Sequence, residues 1–234
     1  MRKDDIYEIL HDVDDSLEYI SKQYKKAHAD KEIKEIVKVK VKSTMENLRS
    51  CLDYCINDID EYILGNTNRH IYFPYSNTKR QFENKIREKF PTLRNKNNKI
   101  YELIESVQDF SNGENAWLSI LCRKTNTAKH DSLLKQNRQD NYQVKIPGLG
   151  IFENSQVKFE NCYLGEIPVN LGIDLEGNIT SPEPIDERLS IEKLDWVTFT
   201  LEGTSIDLLS FLIHCRNEIQ NLVESIYIEI SKSL

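Results

Sequence analysis

The chain has 234 residues, 39% hydrophobic and 29% charged, with a net charge of −7. That suffices for one large domain or two small ones with a core that needs no staples, and it excludes wholesale disorder. The longest apolar run, near Leu208–Ile213, falls far short of the roughly 20 residues a bilayer span needs, and Met1-Arg2-Lys3-Asp4-Asp5 opens without the apolar stretch of a signal peptide.

The first predicted element is an amphipathic helix from Asp4 to about Asp30, in which Ile6, Ile9, Leu10, Val13, Leu17, Ile20 and Tyr24 recur at three- and four-residue steps. A longer helix follows from Lys31 to about Leu64, striped by Ile33, Ile36, Val37, Val41, Met45, Leu48, Leu52, Cys55, Ile59 and Ile63 and stopped by Gly65-Asn66. Two long helices in succession point to an antiparallel hairpin, the seed of a bundle. Asn66–Asn77 reads as a loop, with local extension forced by Pro74. Helical spacing covers Thr78–Lys89, breaks at Phe90-Pro91 and returns over Asn98–Phe110. After the turn at Ser111-Asn112-Gly113, a fifth helix is expected from Glu114 to about Gln136, carrying Trp117, Leu118, Leu121, Leu133 and Leu134.

The pattern then changes to period two. Tyr142–Ile146 reads as a strand closed by Pro147-Gly148; Val157–Phe159, Cys162–Ile167 and Val169–Ile173 are shorter candidates, and Gly177-Asn178 is a hairpin signal. Ser181–Pro184 is loop, and Asp195–Leu201 is the clearest strand. Ser205 to about Ser231 is helical and too apolar to stand alone. The fold class that follows is α+β: an N-terminal helical bundle (residues 1–140), then a strand-rich region (141–234) with a mostly antiparallel sheet of five or six strands and a closing C-terminal helix. If that helix packs back on the bundle, the two regions form one unit.

Charge is unevenly placed. From Asn141 onward six Lys/Arg face fifteen Asp/Glu, a net −9, which leaves +2 on the first 140 residues. Arg69–Lys99 holds nine basic residues against Glu83 and Glu88, and Arg123–Arg138 holds five against Asp131. A local basic patch sets the field at close range and can attract nucleic acid, so Arg69, Lys79 and Arg80 in the first stretch, and Lys124 and Lys129 in the second, are candidate RNA contacts; a solvated lysine-rich surface is the competing reading. The five cysteines are odd in number and scattered, with no CxxC and no nearby histidine to complete a zinc set. They read as buried free thiols in a reducing cytoplasm, with no metal and no cofactor expected.

One constellation could carry chemistry. Arg123, Asn126 and His130 stand at i, i+3 and i+7 on the fifth helix, on one stripe, with Trp117, Leu121 and Ala128 opposite. Arginine can hold a phosphate bidentately, histidine can move a proton near neutral pH, and asparagine can orient a phosphate or water. Those groups suffice in kind for metal-free RNA cleavage with the 2′-hydroxyl as nucleophile. A symmetric dimer facing two such stripes would supply two histidines, one as base and one as acid.

Arg123-Lys124-Thr125-Asn126-Thr127-Ala128-Lys129-His130 resembles the R-x(4–6)-H signature of the HEPN (higher eukaryotes and prokaryotes nucleotide-binding) superfamily at its longest spacing. The layout is also similar to a group of uncharacterised bacterial proteins with an L-R-S-x-L-D helix, a Phe-Pro loop and a helix ending in Lys-His; here these are Leu48–Asp53, Phe73-Pro74 and Lys129-His130. The resemblance covers about Met45 to Gln136. It implies a helical bundle, dimerisation and, in many members, ribonuclease activity in toxins or phage defence, with His130 as the acid–base residue, Arg123 on the phosphate, and Arg49 and Asp53 near His130. Lys124 stands where the family commonly has asparagine, and Ser132 where the toxins silenced by a nucleotidyltransferase carry tyrosine.

Other residues read more simply. Arg49 and Asp53 are spaced for a local salt bridge. Tyr72, Phe73 and Tyr75, beside Arg69 and His70, either plug a core or stack on bases. His214, Arg216 and Asn217 read as core edge or interface. The carboxylates Asp14-Asp15 and Asp58, Asp60 and Glu61 are assigned to polar, solubilising faces. Gly148 and Gly150 form no phosphate loop, and there is no nucleophile elbow or HExxH. Two functions follow as expectations: a cytoplasmic, homodimeric, metal-independent RNA-cleaving or RNA-binding protein acting through Arg123 and His130, or a non-catalytic dimer that uses its acidic C-terminal half to bind a protein partner.

Overall fold

The computed structural model describes residues 1–66, 71–113 and 116–233. Helix α1 (Lys3–Ala29) buries the anticipated stripe, Ile6, Leu10, Val13, Leu17, Ile20 and Tyr24. It pairs with α2 (Lys38–Asp58), which runs on into a π turn, Ile59–Ile63, before Gly65 adopts φ +76°. Helix α2 begins seven residues later than the spacing suggests. The cause lies 100 residues away. The Gln136 side-chain amide donates to the Ile36 carbonyl and accepts the Ile36 N–H, both at 2.9 Å, holding that segment out of the helix; Val37 then turns at φ 22°.

Helix α3 (Lys79–Lys89) is capped by Thr78, whose hydroxyl accepts the Gln81 N–H at 3.4 Å. A short α4 (Leu93–Lys96) precedes α5 (Asn98–Ser106), capped by Asn97. The expected helix to Phe110 stops early, at Ser106, two residues before Gln108. That fully buried side chain donates to the Ile104 and Pro74 carbonyls at 2.9 and 3.1 Å, so it ends α5 and ties down the loop before α3. After α6 (Asp109–Asn112), helix α7 spans Leu118–His130. Its expected start, Glu114, lies outside the described residues, and its end comes six residues before Gln136, because Gln136 is committed to a strand.

Helix α8 (Leu208–Ser233) packs on α1, α2 and α5 and completes the bundle core, so the strands are an excursion between α7 and α8. Asp207 caps α8 by accepting the Ser210 N–H at 3.0 Å; its other oxygen accepts the Tyr24 hydroxyl at 2.9 Å and the Phe199 N–H at 3.2 Å.

The strands are β1 (Gln136–Ile146), β2 (Gly150–Glu153), β3 (Val157–Leu164), β4 (Ile167–Ile173), β5 (Ile179–Thr180) and β6 (Glu192–Leu201). Every pairing among them is antiparallel, but they form two sheets, β2-β1-β6 and β3-β4-β5, rather than one. Each sheet has an apolar face. Tyr142, Val144 and Ile146 of β1 bury against Val169, Leu171 and Ile173 of β4 in a second core, with the Phe152 and Phe159 rings edge-on at 5.6 Å. The turn at Gly177 joins β4 to β5 and requires glycine: φ is +73°, and a Cβ there would lie 2.4 Å from the Tyr142 ring. Val197, Phe199 and Leu201, at the other end of β6, belong to the bundle core, where Tyr24 meets Phe199 edge-on at 5.1 Å. The β1–β6 ribbon therefore runs through both cores.

The acidic run from the end of α2 into the π turn is not a fully solvated face. Asp58 and Asp60 are buried. Asp58 accepts from the Arg2 backbone N–H and the Tyr227 hydroxyl, both at 2.6 Å, and from the Arg2 guanidinium. The chain start and α8 close over a side of α2 that local spacing leaves open. Asp14 is likewise engaged, gripped by Arg216 at 2.7 Å through two nitrogens.

Candidate functional site

One face of α2 presents Arg49, Asp53 and Asn57 at successive four-residue steps. Asp53 accepts from Arg49 Nε at 3.3 Å and from the Phe73 N–H at 2.8 Å. The Asn57 amide donates to the Ile71 carbonyl at 2.9 Å and accepts the Ile71 N–H at 3.4 Å. These bonds lay residues 71–73 along α2, and Gln108 holds Pro74 from the other side. Phe73 plugs the core at 1% exposure, as a residue beside proline often does, while Tyr72 stands 75% exposed.

A groove of about 980 Å³ opens between this segment, α3 and α7. Helix α2 contributes Arg49; the loop contributes Ile71 to Tyr75; α3 contributes Lys85, Glu88 and Lys89; α7 contributes Asn126, Lys129 and His130. Lys89 is paired with Glu88 at 2.8 Å, and Arg49 with Asp53. Among the described residues that leaves Lys85 and Lys129 as surplus positive charge in the groove lining. Lys85 sits 4.7 Å above the Tyr75 ring and donates to the Tyr75 carbonyl. Burial lowers its affinity for a proton, and the nearby Arg49 acts in the same direction. Burial pushes the Asp53 carboxyl up from the ordinary carboxylate range, against the pull of Arg49, the Phe73 N–H and Lys129. Arg49 lies 5.3 Å from the centre of the same Tyr75 ring. Two cations thus occupy Tyr75, while Tyr72 lines the groove with its side chain exposed.

The expected stripe is exposed as the spacing predicts, with Trp117, Leu121 and Ala128 buried behind it. The structure brings Asn126, Lys129 and His130 together in the groove, but Arg123 does not line it. The Arg123 guanidinium donates to Asn77 Oδ1 at 2.8 Å and lies 4.0 Å from Asp109, whose other oxygen accepts the Ser119 N–H and starts α7. Lys124 turns to the Glu202 carbonyl at 2.9 Å, Lys79 pairs with Glu105 at 3.2 Å, and Arg80 is exposed on α3 outside the groove. Arg69 lies outside the described residues. Lys85 and Lys89 are members of the groove that the stripe on α7 could not reveal, although their i, i+4 spacing puts both on one side of α3.

Among the described residues, no three of His, Cys, Asp and Glu gather as a metal would require, and no helix is long and apolar enough to cross a membrane. No protein-family model, curated protein or solved structure matches the chain, so the reading of the groove rests on its own chemistry.

Proposed function

We propose that the protein is a HEPN-like, metal-independent endoribonuclease of a toxin or defence type, which takes single-stranded RNA into this groove and works as a homodimer. One observation carries the reading: surplus cations, an exposed tyrosine and a histidine converge on one groove in a protein that is acidic overall. Cations hold the phosphate backbone, and Tyr72 stacks on a base. In the reaction, neutral His130 takes the 2′-hydroxyl proton, O2′ attacks the adjacent phosphorus, and the bond to the 5′-oxygen breaks. The leaving oxygen receives a proton from the protonated His130 of a second copy. The products are a 2′,3′-cyclic phosphate and a free 5′-hydroxyl, with no change of oxidation state. Asn126, one turn before His130, orients the phosphate or the attacking hydroxyl.

The test is induction of the wild type beside His130→Ala, with growth and total RNA followed in the same cultures. Growth arrest and fragmented RNA with the wild type alone are expected. Identical behaviour of the two soluble proteins would refute the nuclease.

A second reading, a non-catalytic interaction protein, is favoured by a separate observation. The outer face of the β2-β1-β6 sheet exposes Ile151 at 60% and Leu194 at 61%, with the partly buried Trp196 two residues along β6. On that reading, charged substitution of Leu194 abolishes partner binding and His130→Ala changes nothing.

A further inference from the structure

We propose that Arg49 on α2, and not Arg123, is the guanidinium that holds the scissile phosphodiester in the groove. This rests on the reading of the groove as an RNA site and names its phosphate-binding residue.

Arg123 is engaged elsewhere. It donates to Asn77 and faces Asp109, so its guanidinium is held at the start of α7, outside the groove lining. Arg49 is built into the groove wall. Asp53 fixes Nε, the Tyr75 ring lies against the guanidinium, and 13% of the side chain remains exposed where it lines the groove. Its Nη1 is buried against the Cys122 thiol, so the exposed remainder of the side chain is what faces the groove. A guanidinium carries more donors than Asp53 takes up, and an anionic oxygen is the acceptor that suits the exposed ones. The neighbouring Cys122 thiol offers no counter-charge, since burial pushes it up to about 12 and leaves it neutral. Asp53 is shared among Arg49, the Phe73 N–H and the field of Lys129. A guanidinium clamped on an aromatic face and a carboxylate is already oriented when a phosphate arrives, which is the condition under which a cation stabilises developing charge best. Lys129 and His130 line the same groove, so a phosphate held there has the proton-transfer group beside it.

The experiment compares Arg49→Lys, Arg123→Ala and His130→Ala with the wild type in cleavage of a single-stranded RNA. Arg49→Lys keeps the charge and loses the fork. Its kcat should fall by about 100-fold or more, with a smaller change in KM, whereas Arg123→Ala, which removes only a surface contact, should stay within about threefold of wild type. Loss with Arg123→Ala matching that of His130→Ala, beside an active Arg49→Lys, overturns this assignment and leaves the nuclease standing. Cleavage unaffected by His130→Ala overturns both. Because Arg49 is packed into the wall and its substitution can disturb folding, the wild type supplies a second readout. The Arg49 Nε–H resonance should move on titration with a non-cleavable 2′-deoxy oligonucleotide, and the shift should shrink when one linkage is a neutral methylphosphonate. A resonance that ignores the oligonucleotide overturns the proposal.

Discussion

Replacing Asp58 by alanine should be among the most destabilising single changes in the bundle. The carboxylate is fully buried and accepts three hydrogen bonds, from the Arg2 N–H, the Arg2 guanidinium and the Tyr227 hydroxyl. The guanidinium contribution is small: the Arg2 side chain is 40% exposed, and solvent-screened pairs contribute about 1 kcal/mol or less. The Tyr227 hydroxyl is different, because it is buried and loses its acceptor, at a cost of about 1–3 kcal/mol. With the Arg2 backbone bond added, the total is about 3–4 kcal/mol. For a chain of this size that lowers the melting temperature by roughly 6–15 °C. Tyr227→Phe removes the same bond from the other side but leaves Asp58 its contacts with Arg2, so it should cost only about 1 kcal/mol. The double variant should then fall short of the sum of the singles by about 1 kcal/mol, since both remove one shared interaction. Urea unfolding followed by circular dichroism measures all three. An Asp58→Ala protein within about 1 kcal/mol of wild type, or strict additivity, would refute the placement of Asp58 beneath α8.

Three further outcomes are expected. Cys51, Cys55, Cys122 and Cys215 are buried and their thiols raised, to about 12 for Cys51 and Cys122. A thiol reagent at about pH 8 should therefore find Cys162 alone in the folded protein and all five cysteines in denaturant; a second fast thiol would contradict the packing. Burial, reinforced by Asp207 and Asp58, raises the phenols of Tyr24 and Tyr227 far above their ordinary value. Their folded-state pKa values are the higher ones, so the stability they contribute is intact below about pH 10 and drains away above it as the unfolded chain ionises first. Two tyrosines should accordingly ionise only as the protein unfolds in alkali, and a smooth titration of all the tyrosines in the folded state would count against this. Tyr72→Ala should leave the melting temperature unchanged, since the side chain is exposed, and weaken single-stranded RNA binding by roughly 5- to 150-fold in an anisotropy titration; unchanged affinity would remove Tyr72 from the site.

The helices were legible where one apolar stripe met one core: α1, α3 and α8 follow their periodicities closely. Local patterns failed where a distant group decided. Gln136 reaches back to Ile36 and so fixes both the late start of α2 and the early end of α7. Gln108 ends α5 by bonding to a loop more than 30 residues earlier. The division of the strands into two sheets depends on which apolar faces meet, and an alternating sequence does not encode that. In the site, Asn126, Lys129 and His130 share a face because a helix puts them there. Arg123 shares that face as well, but Asn77 and Asp109 draw its long side chain away, and helical spacing places a Cα rather than the end of an arginine. The Arg49–Asp53 pair was legible from its spacing as a salt bridge; that Arg49 lines one groove with His130 depends on how α2 and α7 pack, which spacing within either helix does not encode.

The groove is also tied to the fold more firmly than a surface loop would be. Arg49, Asp53 and Asn57 lie on one face of α2 because they recur every four residues, and each makes a different part of the site: a cation, its anchor and a brace for the wall. One Asp53 carboxylate both orients Arg49 and fixes the Phe73 N–H, whose ring is core. Loss of Asp53 would therefore loosen the cation and detach the wall together, and the resulting inactivity would reveal nothing about chemistry. Tyr72 and Lys129 are exposed and carry no such structural duty. Substituting them separates binding from folding, and that separation is what an acidic protein with a cationic groove needs before its charge pattern can be read as function.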